Sequence, residues 1–124
     1  LRYLSTIPYN LGFADRVPKA DQIRAGKLKS TSLSASSKTL VFWAEVAGLR
    51  PRDFVSMRFF GPDGALLAKK EETMAKHRIR IWWAIGKKSK ASWPPGAYRG
   101  EITILRETPA GPMEARRDAR LDVF

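Results

Sequence analysis

The sequence predicts an all-β protein: an immunoglobulin-like antiparallel β-sandwich with an irregular N-terminal extension. From Thr39 onward, apolar residues recur with a period of two, as they do along half-buried strands. Turn residues separate these alternating segments at short intervals, and no long helical pattern lies among them, which is typical of sandwiches. We therefore expect residues 1–38 to form an extension or linker and residues 39–124 to form the sandwich domain.

The predicted extension has three parts. Residues 1–13 are apolar and aromatic without a clear period, so we expect them to pack either on this domain or on a neighbouring one. Residues 17–26 predict a short helix that ends at Gly26. The Ser-rich residues 31–37 predict a flexible loop.

The first two predicted strands cover residues 39–47 and 54–60. Four apolar residues of the first alternate on one face and are expected in the core: Leu40, Phe42, Ala44 and Val46. In the second, the expected core residues are Val55, Met57 and Phe59. Pro51 has no N–H to give to a ladder, so it predicts a turn between the two strands.

Residues 65–70 and 78–85 are the third and fourth predicted strands. Residues 61–64 read Gly-Pro-Asp-Gly, a strong turn signal that closes a hairpin between the second and third strands. The fourth strand alternates most cleanly. One of its faces carries Ile79, Ile81, Trp83 and Ile85. The other face carries Arg78, Arg80 and Trp82.

The last two predicted strands cover residues 98–106 and 113–123, after an expected loop at 86–95. Two prolines stiffen the approach to Gly96, which frees the backbone to turn into the strand. Tyr98 alternates with Ile102 and Ile104, so its ring is expected in the core. Its hydroxyl then needs a partner, as the tyrosine at a sandwich corner has. In the final strand the expected core residues are Ala119, Leu121 and Val123.

Charge and composition bound the function classes. The chain has 124 residues, 44% of them apolar, and a formal net charge of +11 from 23 Lys and Arg against 12 Asp and Glu. This balance favours polyanionic partners such as nucleic acid, anionic lipid or a wall polymer, although it also serves solubility. No apolar run reaches the roughly 18 residues of a membrane span. Because the chain begins with Leu1, we expect it to be part of a longer protein.

The residues that carry enzyme chemistry are scarce. The chain has one histidine, His77, and no cysteine, whereas a zinc site needs three or four ligands. No G-x-S-x-G elbow accompanies His77, and no Gly-rich phosphate loop is present. We therefore expect no catalytic residue, no metal and no cofactor in this chain, and we expect His77 at the surface where a strand begins.

The remaining candidate site combines cations with tryptophans. Aromatic rings beside cations hold single-stranded nucleic acids and sugars. The candidate contact residues are Arg78, Arg80, Trp82, Lys87, Lys88, Lys90, Trp93 and Arg99. Arginine on the outer face of a sandwich is also ordinary, and Trp93 fits either a ligand platform or a cap on the core.

Four segments together resemble a known family. They are PYNLGFADRVP at 8–18, LVFWAEVAGLRPRD at 40–53, GPDGALLA at 61–68 and WPPGAYRGEITILR at 93–106. In this order they are similar to the region that follows the catalytic domain in a set of proteobacterial lysostaphin-type zinc peptidases, which cleave the peptide cross-links of peptidoglycan. The family's H-x-x-x-D and H-x-H zinc motifs are absent here, and His77 matches neither.

The resemblance implies a non-catalytic accessory domain of a cell-wall metallopeptidase, located in the cell envelope or periplasm. Such a domain would bind an anionic wall polymer or pack on its own catalytic domain. The residues by themselves leave two alternatives open. One is a basic nucleic-acid-binding module. The other is a structural or dimerising sandwich whose apolar N-terminal segment forms the interface.

Overall fold

The computed structural model describes residues 2–3, 8–19, 21–22 and 29–124. Nine strands lie in this part of the chain. In chain order they are β1 (Arg2–Tyr3), β2 (Pro8–Ala14), β3 (Ser32–Leu33), β4 (Thr39–Leu49), β5 (Phe54–Phe60), β6 (Leu66–Thr73), β7 (Arg78–Lys88), β8 (Gly96–Thr108) and β9 (Gly111–Val123). Among the described residues, no helix is long and apolar enough to cross a membrane.

The strands form two sheets packed face to face, so the predicted β-sandwich is confirmed. The large sheet has the order β1-β9-β8-β5-β6, and β3 also pairs with β9. The small sheet has the order β2-β4-β7. The long strands pair antiparallel, whereas β1 and β3 run parallel to β9 near its two ends. These two short segments cover part of an edge that would otherwise expose unpaired backbone groups.

The core lies between the inner faces of the two sheets. The faces predicted for β4 and β5 are buried, as are Tyr98, Ile102 and Ile104 of β8. The apolar face predicted for the fourth strand is not buried along its whole length, because Ile79 is 81% exposed. It lies near the start of β7, where the register places Gly48 of β4 opposite it, and glycine has no side chain to cover the isoleucine.

Some strand bounds differ from those predicted. β5 has the predicted bounds, but β7 continues through Lys88, so residues 86–88 are strand rather than loop. Gly86 ends the apolar alternation, but the ladder does not stop there. Val41, Leu40 and Thr39 of β4 remain paired with residues 86–88.

The segment before residue 38 contributes a full strand to the sandwich. β2 pairs antiparallel with β4, and its Leu11 and Phe13 are buried in the main core. Residues 8–14 therefore pack on this domain rather than on a neighbouring one. Of the helix predicted over 17–26, residues 21–22 are helical and 17–19 are not, while residues 20 and 23–26 lie outside the described residues.

The Ser-rich stretch is tied to the end of the large sheet where β8 begins and β9 ends. Ala35 donates its N–H to the carbonyl of Phe124, and its own carbonyl accepts from the N–H of Trp93. Leu33 lies in β3, beside Val123. The serines thus form a hydrogen-bonded turn along the sandwich, where the sequence predicts a flexible loop.

Candidate binding face

The outward side of the small sheet brings four of the eight candidate contact residues together, namely Arg78, Arg80, Trp82 and Lys88. On β7, residues 80, 82 and 84 alternate away from the core and lie opposite 47, 45 and 43 of β4. We call this surface the small-sheet face. It consists of Asn10, Gly12 and Ala14 of β2, Val41, Trp43 and Glu45 of β4, and Arg80, Trp82 and Ala84 of β7.

Tryptophans form an apolar cluster on this face, separate from the main core. Trp43 is fully buried and packs with Ala14, Trp82 and Ala84. Its indole lies over Gly12, where an added Cβ would come within 2.6 Å of the ring. Glycine at position 12 therefore lets the ring lie flat across β2. Trp82 is only half-buried, so part of its ring remains accessible.

A row of polar groups runs beside the tryptophans. Asn10 Nδ2 donates to Glu45 Oε1 at 3.0 Å, and Lys29 Nζ donates to Asn10 Oδ1 at 3.0 Å. Glu45 is 5% exposed and pairs across the strands with Trp82. Because each polar group is held by its neighbour, the row presents fixed donors and acceptors next to an aromatic ring.

Positive charge is concentrated around β7. Between residues 73 and 100 the sequence has no Asp or Glu, yet it contains Lys76, Arg78, Arg80, Lys87, Lys88, Lys90 and Arg99. None of those on β7 or in the loop after it forms an ion pair with a described residue. This acid-free run is a sequence signal that the period-two analysis does not use.

The outward side of the large sheet is different, because its charges neutralise one another. Glu101 accepts from Arg99 at 2.9 Å and from Arg116 at 2.8 Å. Arg120 pairs with Asp122 at 3.0 Å. β7, by contrast, carries four cations and no acidic residue.

The eight candidate contact residues separate into three groups. Arg78, Arg80, Trp82 and Lys88 share the outward side of β7, while Lys87 alternates to the other side and Lys90 lies in the following loop. Arg99 belongs to the large sheet on the opposite side of the sandwich. There it pairs with Glu101 and lies 4.7 Å from the Phe60 ring centroid.

Trp93 is the third group, and it is part of the core. It is 6% exposed, and its Nε1 donates to the carbonyl of Ser37 at 2.7 Å. Its ring packs edge-on against Tyr98, with 6.4 Å between centroids. Of the two roles that the sequence allows, the structure places Trp93 as a cap on the core.

Tyr98 has the hydroxyl partner that its position requires. The hydroxyl donates to the carbonyl of Pro94 at 2.7 Å. Burial of the ring raises the pKa of the hydroxyl, and the nearby negative charge of Asp63 raises it further. The tyrosine thus holds the proline-rich segment before β8 against the first residues of that strand.

Sequence reasoning leaves Asn10, Trp43 and Glu45 of this face unassigned, together with Lys29, which contacts Asn10. For Trp43 and Glu45, the sequence pattern that could have identified them is the second face of residues 39–47, where they alternate with the predicted core residues. His77 is exposed just before β7. In the described part of the chain, no group of three or more His, Cys, Asp or Glu side chains is placed to hold a metal ion.

Comparison with known proteins gives a likeness of fold. No protein-family model matches the chain, and no curated protein sequence matches it. A solved structure described as "Crystal structure of the C-terminal domain of wzt" superposes with a TM-score of 0.53 at 13% identity, and covers 94% of this chain and 72% of that one. At this identity the likeness shows that the two chains share a β-sandwich fold.

Proposed function

We propose that this chain is a non-catalytic accessory domain of a peptidoglycan metallopeptidase and binds an anionic polymer of the cell envelope on the small-sheet face. The observation that carries the proposal is the line of cations along β7 that form no ion pair with a described residue, beside the half-exposed Trp82. Charges on the other side of the sandwich are neutralised by their neighbours, so an anionic ligand is attracted to one side only.

The geometry suits an extended ligand better than a compact one. Arg78 and Lys88 lie ten residues apart on one strand, about 33 Å at 3.3 Å per residue. Cations spread over that length match repeated negative groups along a chain. Trp82 lies between them and provides a ring on which a sugar or base can stack.

The resemblance to the region after the catalytic domain of lysostaphin-type peptidases supports the cellular context. In that context the domain holds the enzyme near its substrate in the cell envelope or periplasm. Peptidoglycan stems carry carboxylates, which a basic face attracts. The parent protein would supply the zinc site, and its catalytic domain is the second proposed partner.

The test is retention on insoluble peptidoglycan across a salt series, with single- and double-stranded oligonucleotides as competing ligands. We expect retention that weakens with salt. Two single-charge variants sharpen the result: Arg80→Gln on the small-sheet face and Arg116→Gln on the large sheet. Both lower the net charge by one, but only Arg80→Gln should weaken retention severalfold. Equal weakening by both variants would point to general charge rather than to this face.

Nucleic acid is the second candidate ligand, because unpaired cations beside an accessible tryptophan also suit single strands. Tight oligonucleotide binding at physiological salt, without retention on peptidoglycan, would favour it and overturn the envelope proposal. The dimerising alternative needs the apolar N-terminal segment as its interface. Leu11 and Phe13 of that segment lie in the core of this domain, so they are not available to a second copy. Light scattering that reports a stable dimer would restore it.

A further inference from the structure

Two turns meet at one end of the sandwich and enclose a cleft. One turn joins β4 to β5 and the other joins β8 to β9. The cleft has a volume of about 600 Å³. Its lining includes Arg50, Arg52, Arg106, Glu107 and Pro109. No residue of the small-sheet face lines it.

A buried ion pair holds the floor of this cleft in place. Arg106 donates from Nε to Asp53 Oδ1 at 2.8 Å and from Nη2 to Asp53 Oδ2 at 2.7 Å. Nη2 also donates to the carbonyl of Gly48, and Arg50 N donates to Asp53 Oδ2. The Asp53 side chain is 1% exposed and that of Arg106 is 11% exposed. Both groups are therefore fixed in orientation.

One nitrogen of this pair is left over. Nη1 of Arg106 has no hydrogen-bond partner among the described residues, while its other two nitrogens are used. The hydrogen bonds to Asp53 raise the pKa of Arg106, so the guanidinium stays charged. A bidentate partner on one side leaves the remaining N–H groups of the fork available to a second oxyanion.

Arg52 provides a second cation at the cleft, and its backbone is strained. Its φ is 74°, in the left-handed region that favours glycine. This conformation is held by its N–H, which donates to the carbonyl of Met74 at 2.7 Å. Neither Arg50 nor Arg52 forms an ion pair with a described residue. Among the described residues that line the cleft, Asp53 is neutralised by Arg106, and Glu107 is the remaining acidic residue.

We infer that this cleft is an oxyanion-binding pocket that takes a carboxylate or phosphate group, with Nη1 of Arg106 and the guanidinium groups of Arg50 and Arg52 as donors. Guanidinium forks match the planar or tetrahedral oxygens of such groups. The site does not depend on polymer binding by the small-sheet face, and its ligand is a single charged group.

The experiment is a titration of isotope-labelled protein with inorganic phosphate and, separately, with acetate, at constant ionic strength set by chloride. We expect amide shifts confined to residues 50–53 and 106–109. The stronger of the two ligands identifies the source as phosphate or carboxylate. No shift in these two turns, at concentrations up to tens of millimolar, would overturn the inference.

Variants separate binding from structure. Arg52→Gly should weaken binding of the tighter of the two ligands about tenfold, the equivalent of one charge-assisted hydrogen bond. The melting temperature should be unchanged or higher, because glycine adopts the left-handed backbone conformation without strain. Arg50→Gln should weaken binding of the same ligand as well. Arg120→Gln, on the large sheet, is the matched charge control and should leave the affinity for phosphate and acetate unchanged. Unaltered affinity in both Arg52→Gly and Arg50→Gln would contradict the assignment.

Discussion

At the scale of single residues, two aromatic side chains close the end of the core near the Ser-rich turn. Trp93 packs edge-on against Tyr98, and each ring places its polar atom on a backbone carbonyl. Their burial therefore leaves no indole or phenol donor unsatisfied, which is the condition for placing such groups in a core at low cost.

Replacement of Trp93 measures this role directly. Trp93→Ala should lower the free energy of unfolding by about 3–5 kcal/mol, because it removes a buried ring and leaves a cavity. Denaturant unfolding followed by circular dichroism measures the change. Trp82→Ala is the control, since Trp82 is only half-buried and should cost less. A loss below about 1 kcal/mol for Trp93→Ala would contradict the role as a cap.

Tyr98 makes the stability depend on alkaline pH. Its folded-state pKa lies above its unfolded value, so its contribution is complete below about pH 10 and is lost as the pH rises through the folded pKa. In that window the unfolded chain has released the proton and the folded chain has not, which favours unfolding.

Tyr98→Phe isolates this effect from the titration of the lysines. At pH 8 the variant should be about 1 kcal/mol less stable, because it lacks the hydrogen bond to Pro94. Above pH 10 the difference in unfolding free energy between the two proteins should shrink. A difference that stays constant through this range would show that the hydroxyl does not titrate differently in the folded state.

At the scale of elements, the sequence predicts where strands lie in the chain better than it predicts which strands pair with each other. The alternation in residues 54–60 gives the bounds of β5 without error, because both of its neighbours are long strands and its buried face is continuous. β2 escapes prediction because Asn10 and Gly12 interrupt its apolar residues. Gly12 is there for a tertiary reason, the Trp43 ring that lies over it, and this contact is not visible in a local pattern.

The candidate site shows the same limit. Alternation places Arg80 and Trp82 on one face of a strand, and the structure keeps them together. Alternation does not show to which sheet a strand belongs. The sequence-based prediction therefore groups Arg99 with residues on the opposite side of the molecule. Nor does it reveal that Trp93 is buried. That burial depends on Ser37, which is 56 positions away in the chain.

At the scale of the whole molecule, the distribution of charge matters more than its sum. The large sheet carries paired charges on its outward side, whereas the cations of β7 form no ion pair within the part of the chain that the structure describes. A folded state with this arrangement brings like charges together on one side, and so it is opposed by self-repulsion there.

Salt should therefore stabilise the fold. Raising the ionic strength from about 0.01 M to 0.15 M shortens the Debye length from about 30 Å to 8 Å, which screens the repulsion along β7. The exposed pairs of the large sheet lose little in exchange, since such pairs contribute about 0–1 kcal/mol each. We expect a higher melting temperature at the higher ionic strength, measured by calorimetry. At low salt, Arg80→Gln should raise the melting temperature relative to Arg116→Gln, because the first removes a repelling charge and the second breaks a pair with Glu101. The reverse order would show that repulsion along β7 does not govern the stability of the molecule.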